Sequence, residues 1–128
     1  MEERIKCLLV EPYKLPKLIE IENTLEAKQK IVDGMIETIY LTNDDSVVLI
    51  CNEEGKINGL RLNRDIGHDI IAGPFLVVGN DYKNSGFKSL TEEQILKYKL
   101  RFDENSVIQT ENRINAILLN RAKNKYER

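Results

Sequence analysis

The sequence predicts an α+β domain: a small antiparallel or mixed sheet of about four to six strands, two covering helices and a C-terminal helical extension. Three observations carry this. Short apolar runs at 5–10, 18–21, 35–41, 46–51 and 69–79 read as strands. Only one early helix interrupts them, so the strict alternation of a parallel α/β fold is missing. Two amphipathic segments then close the chain, the first opened by a capping signal.

Ile5 to Val10 is an apolar run bounded by charge, and Pro12 and Pro16 punctuate the loop after it. Leu18, Ile19 and Ile21 form a second short strand. Asn23 is placed as the N-cap of a helix from Thr24 to about Asp33, with Glu26 completing a capping-box pattern. Gly34 is placed at the left-handed position past its end. Met35 to Leu41 is a strand, Thr42–Asp45 a turn, and Ser46 to Cys51 the most apolar and therefore central strand. A hairpin between 46–51 and 60–63 is expected, and then a β segment from Asp69 to Gly79 broken at Gly73-Pro74, where proline removes a ladder donor. Residues 79–86 read as loop. Thr91 and Gln94 form a capping box behind Leu90, and Ile95, Tyr98 and Phe102 share one helical face. A last helix is expected from about Glu104 to Lys125, with Ile114, Ile117, Leu118 and Ala122 as its apolar stripe. Residues 1–102 are read as the core, expected to fold without the extension at 103–128. That stripe, on a helix long enough to overhang the body, predicts a homo-oligomer, most simply a dimer, through residues 104–125.

Composition narrows the function. Hydrophobic residues make up 41% and charged residues 31% of the 128, which fits one globular domain with a real core. The formal net charge is -2; residues 121–128 hold four basic side chains and one acid, which leaves -5 on residues 1–120. Duplex nucleic acid is not an expected partner, because no basic surface is available to neutralise phosphates. Nor is a membrane, since no apolar run reaches spanning length. Cys7 and Cys51 lie in apolar runs and read as buried reduced thiols. The opening Met-Glu-Glu-Arg-Ile-Lys lacks a signal peptide's apolar stretch, so the expected location is the cytoplasm.

No catalytic, cofactor or metal constellation stands out, and none is expected. Glu53-Glu54 are adjacent, and adjacent residues of extended chain point opposite ways. Cys51 with His68 lacks the spacing of a known dyad. A single histidine, no paired-cysteine motif and no calcium-loop spacing argue against metal. The densest polar segment, Asn52 to Asp69, supports two readings: a recognition surface of amides and cations, or a set of solvated turns. Tyr82 and Phe87 flank the polar loop Lys83-Asn84-Ser85-Gly86; they either stack on a planar ligand or pin that loop to the core.

Several segments together resemble one family pattern: Glu11-Pro12, Asn23-Thr24-Leu25, Cys51-Asn52-Glu53-Glu54-Gly55-Lys56, Asn58-Gly59, Leu62-Asn63-Arg64, Asp69-Ile70-Ile71-Ala72-Gly73, Phe75-Leu76-Val77-Val78-Gly79, and Phe87 with Ser89-Leu90. The pattern is similar to that of domain-of-unknown-function family 3846, found in phages and other mobile elements, mainly of Gram-positive bacteria. It covers about Lys6 to Phe102, and the chain departs from it in the final helix and in the short Arg64-to-Asp69 connection. No activity comes with the resemblance. It implies a counter-defence setting, in the cytoplasm of an infected or element-carrying host, and it marks Asn52, Glu54, Lys56, Asn58, Asn63 and Arg64 as polar positions matching the family. Those six, with Tyr82 and Phe87, are the expected ligand contacts. Lys56, Asn58, Asn63 and Arg64 are expected to converge on one concave surface. The leading expectation is a non-enzymatic protein that sequesters a nucleotide-derived host immune signal. The alternative is an inhibitor that binds a host defence or nucleic-acid-handling protein, using its acidic body.

Overall fold

The computed structural model describes residues 2–126, without the side chains of Lys125 and Tyr126, so part of the basic 121–128 tail lies outside the described residues. Among these, eight strands and three helices follow in the order β1 (Arg4–Val10), β2 (Lys17–Glu22), α1 (Leu25–Val32), β3 (Ile36–Leu41), β4 (Asp44–Asn52), β5 (Leu62–Asp65), β6 (Ile70–Ala72), β7 (Phe75–Asp81), β8 (Gly86–Lys88), α2 (Glu92–Arg101) and α3 (Glu104–Tyr126). All pairings are antiparallel. The main sheet runs β2-β1-β7-β4-β3, with β8 also paired to β7, and β5-β6 form a separate two-stranded sheet. The fold is α+β, as the sequence predicts.

The alternation of apolar residues sets two cores, one on each face of the sheet. Leu8, Val10, Val47, Leu49, Cys51, Phe75 and Val77 face α2 and the β5-β6 pair. Ile5, Cys7, Val48, Ile50, Leu76 and Val78 form the other face, with Ile31 of α1 and Phe87 packed against it. β4 and β7 are buried on both faces, which is why their sequences are continuous apolar runs. β7, not β4, is the middle strand.

Four expectations are corrected. Segment 60–63 does not pair with β4; β5 pairs with β6, because Gly73-Pro74 breaks the 69–79 run and sends its halves to different sheets. Gly73 is required there: it has φ +81°, and a Cβ would stand 2.7 Å from Leu60 Cδ1. α1 is capped by Thr24, whose hydroxyl accepts from Ala27 N, while Asn23 donates its amide to Phe87 O at 2.9 Å. The left-handed residue at its end is Asp33 and not Gly34. The fourth correction is that residues 79–86 are not all loop, because β7 continues to Asp81 and β8 begins at Gly86.

The α2 start matches expectation, with the Thr91–Gln94 capping box complete. α2 is tied to the β3–β4 turn by Asp44, which accepts from Tyr98 Oη, Lys97 Nζ and Ser46. Burial pushes the Asp44 carboxyl up, but these hydrogen bonds outweigh it and hold the group well below the usual carboxylate range.

α3 is docked along its first half and overhangs along its second. Thr110 Oγ1 accepts from Asp65 N at 2.9 Å, and Arg113 pairs with Asp65. Ile114, Ile117 and Leu118 meet Leu62 and Ile70 across a groove, with Leu118 still half-exposed, whereas Leu119 is 70% exposed and lies outside that groove. α3 is thus joined to the core through β5. Truncation after Phe102 is expected to lower unfolding free energy by about 2–4 kcal/mol, because part-buried hydrogen bonds to β5 are lost. Truncation after Leu119 should change it by less than about 1 kcal/mol; urea denaturation checks both. Asp44→Asn should destabilise the protein at neutral pH by about 1–3 kcal/mol. Since the folded carboxyl titrates below its unfolded value, that difference should shrink as pH falls below about 4, through the folded pKa.

Candidate functional site

Where β4 ends, the chain is turned by its own polar side chains. Asn52 is buried, and its Nδ2 donates to the carbonyls of Val32 and Asp33, each at 3.0 Å. It thereby satisfies C-terminal carbonyls of α1 that have no partner within the helix. Its Oδ1 accepts from Glu54 N at 2.8 Å and starts the turn. Asn58 N then donates to Glu54 O at 2.8 Å and Leu60 N to Gly55 O at 2.9 Å. Gly55 lies so close to β6 that a Cβ would stand 2.8 Å from Ala72 O.

This close approach leaves a cavity of about 240 Å³ between β3-β4 and β6. Ile39, Cys51 and Ile71 form its apolar lining, and Glu37, Glu53, Glu54, Lys56 and Asp69 its charged one. Lys56 is ion-paired to Asp69, and its hydrogen bond is the main reason that the Asp69 carboxyl sits below its ordinary value. Glu37, Glu53 and Glu54 have no ion-pair partner among the described residues. The cavity is therefore electronegative. Burial pushes the Cys51 thiol up to about 11, with Glu37 and Asp69 adding to the shift, so it stays a neutral thiol. His68 lines other cavities, beside Lys97 and Arg101 and beside α3, so it does not join Cys51.

The expected convergence of Lys56, Asn58, Asn63 and Arg64 does not occur. Asn52, Glu54 and Lys56 line the cavity; Asn58 is exposed on the turn outside it. Asn63 and Arg64 are buried, Arg64 completely. Asn63 Nδ2 bridges Val10 O at 2.8 Å and Gly73 O at 2.9 Å, and its Oδ1 accepts from Arg64 Nη1 at 2.8 Å. Arg64 also donates to Lys14 O at 2.6 Å, Phe102 O at 3.1 Å and Ser106 Oγ at 2.8 Å. Burial pulls its pKa down and Asp103 opposes the shift. An arginine so used has no free fork for a ligand's phosphate, so its reading as an exposed contact is corrected.

Tyr82 and Phe87 do come together, in a second cavity of about 420 Å³ with Thr38, Tyr40, Asp45 and Asp81 among its lining. It lies across β3 from the first. Phe87 is half-buried in the core, with Lys28 Nζ 5.2 Å from its ring centroid. Tyr82 is 61% exposed and donates its hydroxyl to Asp45 O. Glu37 and Tyr40 were missed by sequence reasoning. Strand alternation could have placed them on opposite faces, but not beside loops distant in sequence.

The profile of the family described as Domain of unknown function (DUF3846) matches residues 5–103. The chain belongs to that family. The family region ends as α3 begins, and the linings of both cavities fall inside it. No curated protein and no solved structure matches the chain. Among the described residues no cluster of three or more histidine, cysteine or carboxylate side chains is placed to hold a metal, and no helix is long and apolar enough to cross a membrane.

The buried pair yields a stability prediction. Arg64→Ala should destabilise the protein by about 3 kcal/mol or more, because it strands buried carbonyls and opens a cavity. Asn52→Ala should cost about 1–3 kcal/mol by uncapping α1. Both are read from urea midpoints at unchanged slope; an Arg64→Ala protein as stable as the parent would refute the structural role.

Proposed function

We propose that this protein acts by binding a basic protein partner, without catalysing a reaction on it. The observation that supports this most is the cavity at the end of β4, where three carboxylates, Glu37, Glu53 and Glu54, have no ion-pair partner among the described residues. Such a surface attracts cations and repels phosphates over roughly a Debye length. The nucleotide-sequestering reading draws less support. Of the cations it relies on, Lys56 is already paired with Asp69 and Arg64 is committed to main-chain carbonyls. The mobile-element setting implied by the family resemblance makes a host defence or nucleic-acid-handling protein the partner class to test first. Self-association through the overhanging half of α3 belongs to the same proposal, and light scattering on the full chain at micromolar concentration tests it.

The test compares the full chain with two variants of equal charge change. Glu53→Gln with Glu54→Gln removes two of the cavity's three unpaired carboxylates; Glu92→Gln with Glu93→Gln neutralises two exposed acids at the start of α2. Binding of a fluorescent decalysine peptide should weaken about ten-fold in the first variant and much less in the second, and should fall with added salt. Equal weakening in both would reduce the site to general charge. A thermal shift of several degrees with a cyclic or linear nucleotide recovered intact would favour sequestration instead.

A further inference from the structure

We infer that β3 is a docking edge for an extended basic segment of the partner, which adds to the sheet as a further strand; this rests on the basic-partner reading above. β3 is an edge strand, paired only with β4. Glu53 N donates to Met35 O at 2.9 Å, in register with Ile36↔Asn52 and Glu37↔Cys51. The alternation of an antiparallel ladder then turns the main-chain groups of Met35, Glu37 and Ile39 toward β4. Those of Ile36 and Thr38 point outward, and no described residue pairs with that outer side. Open edges of this kind are usually guarded by lysine, proline or a covering element. β3, Ile-Glu-Thr-Ile-Tyr-Leu, has neither residue, whereas the opposite edge strand β2 starts on Lys17, directly after Pro16.

The side chains of β3 point to the two cavities in turn. Glu37 and Ile39 line the one that holds Glu53 and Glu54. Thr38 and Tyr40 line the one that holds Asp45, Asp81 and Tyr82. Among the described residues no lysine or arginine is part of the second cavity's lining, although Lys28 reaches the ring of Phe87; Tyr40 and Tyr82 are 54% and 61% exposed, so their ring faces are available to a cation. A strand laid along β3 sends successive side chains to opposite faces of the sheet. Here both faces are acidic. The fitting segment is therefore extended and carries adjacent basic residues, its main chain supplying affinity and the two cavities selecting the side chains. A second copy is a poor occupant, because edge-to-edge pairing would bring these acidic faces together.

The experiment uses the full chain and ten-residue peptides of serine and threonine with two arginines at the centre. One peptide has them adjacent, one has them two apart, and one has glutamates at the adjacent positions. The adjacent-arginine peptide is expected to bind several-fold more tightly than the spaced one, and the glutamate peptide not measurably. Amide hydrogen exchange at Ile36 and Thr38 should slow about ten-fold or more on binding, while Glu37 and Ile39, already paired, change little. Thr38→Pro removes an outward donor and should abolish the protection; Thr38→Lys, which folds more safely, should weaken binding about ten-fold. Binding of both arginine peptides without slowed exchange in 36–40 overturns the edge and leaves the basic-partner reading intact. Failure of all cationic peptides, or equal binding of the glutamate peptide, overturns both. The same protection arising without peptide, in a dimer seen by light scattering, assigns the edge to a second copy and overturns the proposal.

Discussion

One buried guanidinium ties together segments that are otherwise far apart in the chain. Arg64 gathers carbonyls from the loop after β1 and from the end of α2, and a hydroxyl from α3, while its neighbour Asn63 bridges the end of β1 to the β6–β7 break. A positive charge with no exposure is tolerable only because its donors are met by oriented dipoles. Everything on that face inherits its position from this node. The β5-β6 pair is held over the sheet, so Ile66 and Ile71 complete the core, and β6 lies where Gly55 can close on it.

That closure gives the electronegative cavity its character. The 52–60 turn is fastened at one end by Asn52 to α1 and at the other by Gly55 to β6. Polar groups that could have bound a ligand are occupied in building the turn. Of the charged groups lining the cavity, those left unpaired among the described residues are carboxylates. The same segment that looks from its composition like a mixed donor and acceptor surface is thus, once folded, an acidic one, and the direction of attraction changes from phosphate to cation.

Much of the fold was legible because it is written in local periodicity. Continuous apolar runs marked β4 and β7, the Thr91–Gln94 box marked α2, and Gly73-Pro74 marked a break. Pairing partners were less legible. The 46–51 and 60–63 segments are near in sequence, yet β4 takes β3 and β7 as neighbours, since those bury both of its faces. Capping was misread by one residue at α1 because Asn23 and Thr24 are both good caps, and the choice fell to Phe87 O, a tertiary acceptor for the Asn23 amide.

The sequence by itself determined the α+β class, most element positions, the absence of a basic body and the family to which the chain belongs. Each of these depends on residue identity and short-range spacing. Tertiary structure alone decided which polar residues are buried and which are free. Asn63 and Arg64 are polar letters like Glu53 and Glu54, but the first pair donates to carbonyls brought in from the ends of β1 and α2, and the second has no ion-pair partner among the described residues. Burial and partner supply are properties of distant chain brought near, and for that reason the character of the site became visible only in the folded molecule.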